Sequence, residues 1–133
     1  MRRTSDVTKL LMIMAGGSVG ALLRYAASGV AQKLAGGSFP LGTLAVNVIG
    51  CLLMGFAGAI FAGPHLIREE YRMALLVGGL GAFTTFSTFS FETFTLADRG
   101  QLQLAVANIL LSNGLGLAAV WFGYRISEKW FGV

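Results

Sequence analysis

Histidine and cysteine are nearly missing from this 133-residue chain: there is one of each, His65 and Cys51. A single cysteine forbids an intrachain disulfide, and Cys51 sits in an apolar run as a small filler. One histidine with one cysteine makes no zinc constellation. Charge is also scarce. Charged residues make up 12% of the chain, against roughly 25% in soluble domains. The formal balance of +4 does not point to nucleic acid, because the basic residues form no stripe or block. They flank apolar runs, as membrane-edge residues do. The centres of those runs hold no carboxylate or histidine, so an obvious proton relay is absent. No phosphate loop and no nucleophile–base pair is present, and no enzyme is expected.

What the chain has is hydrophobic length. Hydrophobic residues make up 55% and the mean hydropathy is +0.71. A membrane-crossing helix needs about 20 apolar residues, and four segments qualify: about residues 10–34, 41–62, 73–97 and 102–124. The expected fold is an all-α integral membrane protein, a single four-span domain over residues 1–133. Gly36-Gly37-Ser38-Phe39-Pro40, Gly63-Pro64-His65 and Asp98-Arg99-Gly100 carry the turn signals between spans. Arg2 and Arg3 before an apolar run, with Ala26-Ala27-Ser28 beyond it, loosely resemble a signal peptide. Arg24 interrupts that pattern and cleavage would leave three spans, so the first span is expected to be retained.

Glycines and alanines recur four apart at Gly16/Gly20, Gly55/Ala59, Gly58/Ala62 and Gly114/Ala118, a spacing that lets helix backbones approach closely. Four spans put both termini on one side with the Gly63–Arg72 loop. That side carries Arg2, Arg3, Lys9, Arg68, Arg72, Arg125 and Lys129; the other has Lys33 and Arg99. The positive-inside rule then places both termini in the cytoplasm.

The densest polar pattern lies in the third span. Gly78, Gly79 and Gly81 precede Thr84, Thr85 and Thr88, and both residue types are poor helix formers. A break near Ala82, about midway along the apolar stretch from Met73 to Phe91, would free carbonyl groups that cannot face lipid and that suit a sodium ion. A continuous helix whose threonines bond back to their own turn fits the composition equally well. Phe86 and Phe89 share a helix face. Their ring edges are positive and suit an anion, although packing between helices also accounts for them. Polar residues inside spans face bundle interiors, and Asn47, Thr43, Asn108, Ser112 and Asn113 form such a set. With Thr85, Ser87 and Thr88 they make a donor-rich track, or hydrogen bonds that hold helices together. Arg24 has three roles open to it: snorkelling, pairing with Glu92, or attracting an anion.

Three motifs bring these residues together. Gly16-Gly17-Ser18-Val19-Gly20-Ala21-Leu22-Leu23-Arg24-Tyr25 is the first, and Pro40 through Gly50 the second. Gly81 through Phe89, centred on Thr-Thr-Phe-Ser-Thr-Phe and followed by Glu92, is the third. In this order the chain resembles the CrcB/Fluc family of small fluoride channels. The resemblance implies an antiparallel, dual-topology dimer in a prokaryotic plasma (inner) membrane, with two fluoride pores along the interface. It implies a central structural sodium ion on the carbonyls of Gly81 and Thr84 from each protomer. Phe86 and Phe89 would line the pore and Asn47 would donate to the ion. Thr88 and Ser112 would lie on a polar track near Thr43, and Arg24 would hold the anion near a vestibule. The implied role is passive exit of cytoplasmic fluoride, which relieves its toxicity. Two features sit against this pattern: the one-sided basic residues, which suit a member of a paired heterodimer, and Asn108. A small dimeric multidrug-type exporter would be expected to carry a membrane-embedded carboxylate where the first span has Arg24. A non-transporting structural protein leaves the intramembrane polar residues unexplained.

Overall fold

A computed structural model describes residues 2–63 and 67–132, with side chains from Asp6 onward. The turn expected at Pro64 and His65 lies outside the described residues. The regular elements among the described residues are all helices: α1 (Arg2–Ala35), α2 (Leu41–Ala62), α3 (Glu69–Met73), a π-helical stretch (Ala74–Leu80), α4 (Gly81–Phe83), α5 (Phe86–Asp98) and α6 (Leu102–Phe131). Four helical segments are long and apolar enough to cross a membrane, the third spanning Glu69–Asp98. The helices outrun the apolar stretches at the N-terminus of α1 and the C-terminus of α6. At the end of α6, Arg125, Glu128 and Lys129 are good helix formers, so a charged flank prolongs a helix that hydropathy alone would end.

Short connections force neighbouring spans to run antiparallel. Gly36 follows α1 at φ 65° and Gly100 lies at φ 75° between α5 and α6. Both occupy the left-handed region that closes helix ends and favours glycine. Gln32 staples the first connection. Its Nε2 donates to the carbonyls of Gly37 (3.0 Å) and Phe39 (3.1 Å), and its Oε1 accepts from the Gly42 N–H (3.0 Å).

The main packing seam joins α2 and α6 lengthwise, while α1 lies along the π-helical stretch and α4. Small residues make both seams possible. A Cβ at Gly20 would meet the Gly79 carbonyl, and one at Gly123 would meet the Leu52 carbonyl. Gly58 and Gly114, expected on such faces, have nothing within 4 Å of where a Cβ would stand; their faces point away from this chain's own helices. The buried interior is thin, with Val46, Ala59, Leu96 and Ala105 apolar and Thr43, Thr85, Asn108 and Ser127 polar. Large apolar side chains cover the exterior, as lipid solvent permits.

Candidate functional site

The site is organised by two residues without helical geometry. Thr84 (φ −86°, ψ 160°) and Thr85 (φ −150°, ψ 122°) are extended between α4 and α5. Extended residues lose their helical hydrogen-bond partners, and in an apolar interior these must be replaced. Asn47 on α2 replaces two of them. Its Oδ1 accepts from the Thr85 N–H (2.8 Å) and its Nδ2 donates to the Thr85 carbonyl (2.9 Å). The side-chain amide thus pairs with Thr85 as a neighbouring β-strand would. The Thr85 N–H would have served the Gly81 carbonyl in an unbroken helix, so the clamp releases that oxygen. The Thr84 carbonyl accepts a 3.3 Å bond from the Arg24 guanidinium.

Thr85 then starts α5. Its Oγ1 accepts from the Thr88 N–H (3.2 Å), an N-cap, and its hydroxyl donates to Thr88 Oγ1 (3.0 Å). Thr84 Oγ1 donates to the Leu80 carbonyl (3.1 Å), the back-bonding that holds α4 closed. A Cβ at Gly50 would strike Thr84 Cγ2, so a glycine on α2 leaves space for the extended residues.

Most of the sequence-predicted residues line two cavities that share Thr85; Gly81 lines neither. Asn47, Phe86, Phe89 and Ser112 line a cavity of about 270 Å³ with Thr84, Thr85 and Asn113. The two rings are 5.6 Å apart, tilted by 46°; Phe86 is 78% exposed, so one of its faces has no partner among the described residues. Arg24, Thr43 and Thr88 line a second cavity of about 230 Å³ with Tyr25, Ser28 and Thr85. This opens on a wider vestibule of about 420 Å³ that shares Ser28, Thr43 and Thr88 and adds Gln32, Glu92 and Arg99.

One of the pairings open to Arg24 is not formed. Arg24 does not pair with Glu92: no ion pair among the described residues includes either one. Glu92 Oε1 instead accepts from the Thr43 hydroxyl (2.8 Å). Ser112 is tied into a chain that includes a residue sequence reasoning passed over, Thr93. Ser112 donates to Asn108 Oδ1 (3.3 Å), Asn108 Nδ2 donates to Thr93 Oγ1 (2.8 Å), and Thr93 donates to the Phe89 carbonyl (2.7 Å). Asn108 is 1% exposed, so this relay joins α6 to α5 in the interior. The only available signal for Thr93 was its position four residues after Phe89.

The cavity of Phe86 and Phe89 offers donors without a fixed charge, whereas Arg24 lines the second cavity and Arg99 the vestibule. The aromatic edges, hydroxyls and the second amide hydrogen of Asn47 all present positive hydrogens.

Comparison with known proteins bears on the same residues. Residues 11–124 match the family model described as CrcB-like protein, Camphor Resistance (CrcB). Among similar proteins, the fluoride-specific ion channel FluC of Methylococcus capsulatus is 49% identical over 90% of this chain and 53% of its own length. FluC of Geobacter sulfurreducens is 45% identical over 92% of this chain and 99% of its own. FluC 2 of Symbiobacterium thermophilum is 42% identical over 89% and 96%. That match takes in all four spans and each of the residues around Thr84 and Thr85, and the chain belongs to the CrcB-like family.

Proposed function

We propose that this chain is a fluoride-selective passive channel of a bacterial cell membrane, and not an enzyme. The observation that carries the reading is the juxtaposition of the Phe86–Phe89 ring pair, Asn47 and Ser112 around one cavity, in a chain similar to proteins named fluoride-specific ion channels. Fluoride is small and strongly hydrated, and stripping its water is costly unless donors replace it. Ring edges, amide hydrogens and hydroxyls replace water without a full positive charge beside the rings. Conduction needs binding favourable enough for entry and weak enough for exit. Arg24 on the second cavity raises the local concentration of anions at its mouth.

The working unit is a dimer of antiparallel protomers, and a second copy covers the exposed face of Phe86. In that unit the third span is a broken membrane helix with Thr84 and Thr85 near the bilayer centre. A structural sodium ion fits there. The Gly81 carbonyl has lost its Thr85 partner to Asn47, and the Thr84 carbonyl keeps a second lone pair beside its bond to Arg24. One chain offers two oxygens and a second copy offers two more. When bound, the ion would hold the protomers together and offset some of the cost of an anion nearby. Fluoride then leaves down the membrane potential, without ATP or coupled protons.

A fluoride-sensitive bacterial strain lacking its own fluoride exporter tests this reading in cells. Expression of the chain is expected to restore growth on fluoride and leave sensitivity to organic cations unchanged. Resistance to organic cations without fluoride tolerance would favour a multidrug-type exporter instead.

A further inference from the structure

Glu92 is the one carboxylate that lines the vestibule, and the pathway described above gives it no task. Its Oε1 accepts from Thr43, while its Oε2 is buried and has no hydrogen-bond partner among the described residues. An ionised carboxylate has about four acceptor sites to fill; here one is filled. The hydroxyls of Ser28, Thr43 and Thr88 belong both to this vestibule and to the cavity of Arg24. The Thr43 hydroxyl that lines both spaces is bonded to the carboxyl group, so an anion moving between the two along Thr43 comes close to Glu92. An ionised Glu92 would repel it at close range in a poorly screened site. A protonated one would have a donor on the oxygen that lacks a partner.

We propose that Glu92 holds a proton on Oε2 and donates it as a hydrogen bond to the passing anion, while Oε1 keeps its bond from Thr43. No bond to the proton is broken in the passage, so the step needs no net proton transfer. The charged and titratable groups that face the same space are Arg24 and Tyr25 from α1 and Arg99 from the α5–α6 connection; α2 contributes the neutral Thr43. Neither arginine forms an ion pair with Glu92 among the described residues, so neither fixes it in the ionised form. The proposal rests on the fluoride reading above.

The test uses the full chain in liposomes, with fluoride as the probe and protein-free vesicles to subtract leakage of HF. The infrared spectrum of the wild type at neutral pH is expected to show the carbonyl stretch of a protonated carboxylic acid, absent in Glu92→Gln. Glu92→Gln keeps a donor at the same place and is expected to lose the pH dependence of flux while conducting faster than Glu92→Ala. Glu92→Ala loses the donor and is expected to slow flux about tenfold. Raising the pH should lower wild-type flux in step with loss of the infrared band. Absence of that band at neutral pH would overturn the proposal without any variant. So would Glu92→Gln flux as slow as that of Glu92→Ala, or wild-type flux that does not follow the band. A wild type that conducts no fluoride would instead overturn the channel reading itself.

Discussion

Asn47 acts as a backbone substitute, holding Thr85 through both halves of its amide. Asn47→Ala would strand a buried N–H and a buried carbonyl. It is expected to lower stability by about 1–3 kcal/mol and to abolish most fluoride flux, read by thermal unfolding in detergent beside efflux assays. Unchanged stability would mean that water or another side chain replaces the amide. The ring pair has a different role. Phe86→Ile and Phe89→Ile keep bulk and remove ring edges, so each should cut flux by about tenfold while assembly on size exclusion is unaltered. Wild-type flux in both would remove the rings from the pathway. Sequence alone singles out Asn47, because a lone amide in an apolar span is costly. It does not reveal the amide's partner. That partner is Thr85, 38 residues away, and depends on two spans meeting.

At the scale of elements, the close seam of α1 against the π-helical stretch depends on Gly20, where a Cβ would meet the Gly79 carbonyl. Gly20→Val is expected to cost about 1–3 kcal/mol through overpacking, seen as an earlier melting transition; an unchanged transition would mean that the two elements can separate freely. The four long helices were legible because each apolar run exceeds the membrane thickness and turn residues punctuate the runs. Gly78, Gly79, Gly81 and Thr84 read as two kinds of poor helix former in succession, with a break expected near Ala82; the chain instead stays helical through Phe83 and is extended at Thr84 and Thr85. The π-helical geometry of Ala74–Leu80 was not legible, since a shift from one hydrogen-bond spacing to the next leaves no compositional trace. Nor was the depth of the α2–α6 seam. Gly55 and Gly123 create it by admitting backbone from the opposite helix, whereas Gly58 and Gly114, identical in spacing, point elsewhere. Spacing alone does not say which small-residue face finds a partner.

For the whole molecule, far more large apolar side chains are exposed than buried among the described residues. Tyr25, Leu34, Phe86, Phe91 and Leu117 are all strongly exposed, and lipid and a second copy are the available covers. In an antiparallel dimer, a cysteine placed at either terminus should be labelled in equal amounts from the two sides of sealed vesicles. Labelling from one side only would instead fit the excess of basic residues near the termini and call for a homologous partner of opposite orientation. The central claim is selective fluoride conduction, and it is tested most directly by anion efflux from liposomes holding the purified chain. Valinomycin clamps the charge balance, and fluoride and chloride are recorded in parallel. Rapid loss of fluoride with chloride retained is the predicted result; verified, folded protein that releases neither ion, or both at similar rates, would contradict it.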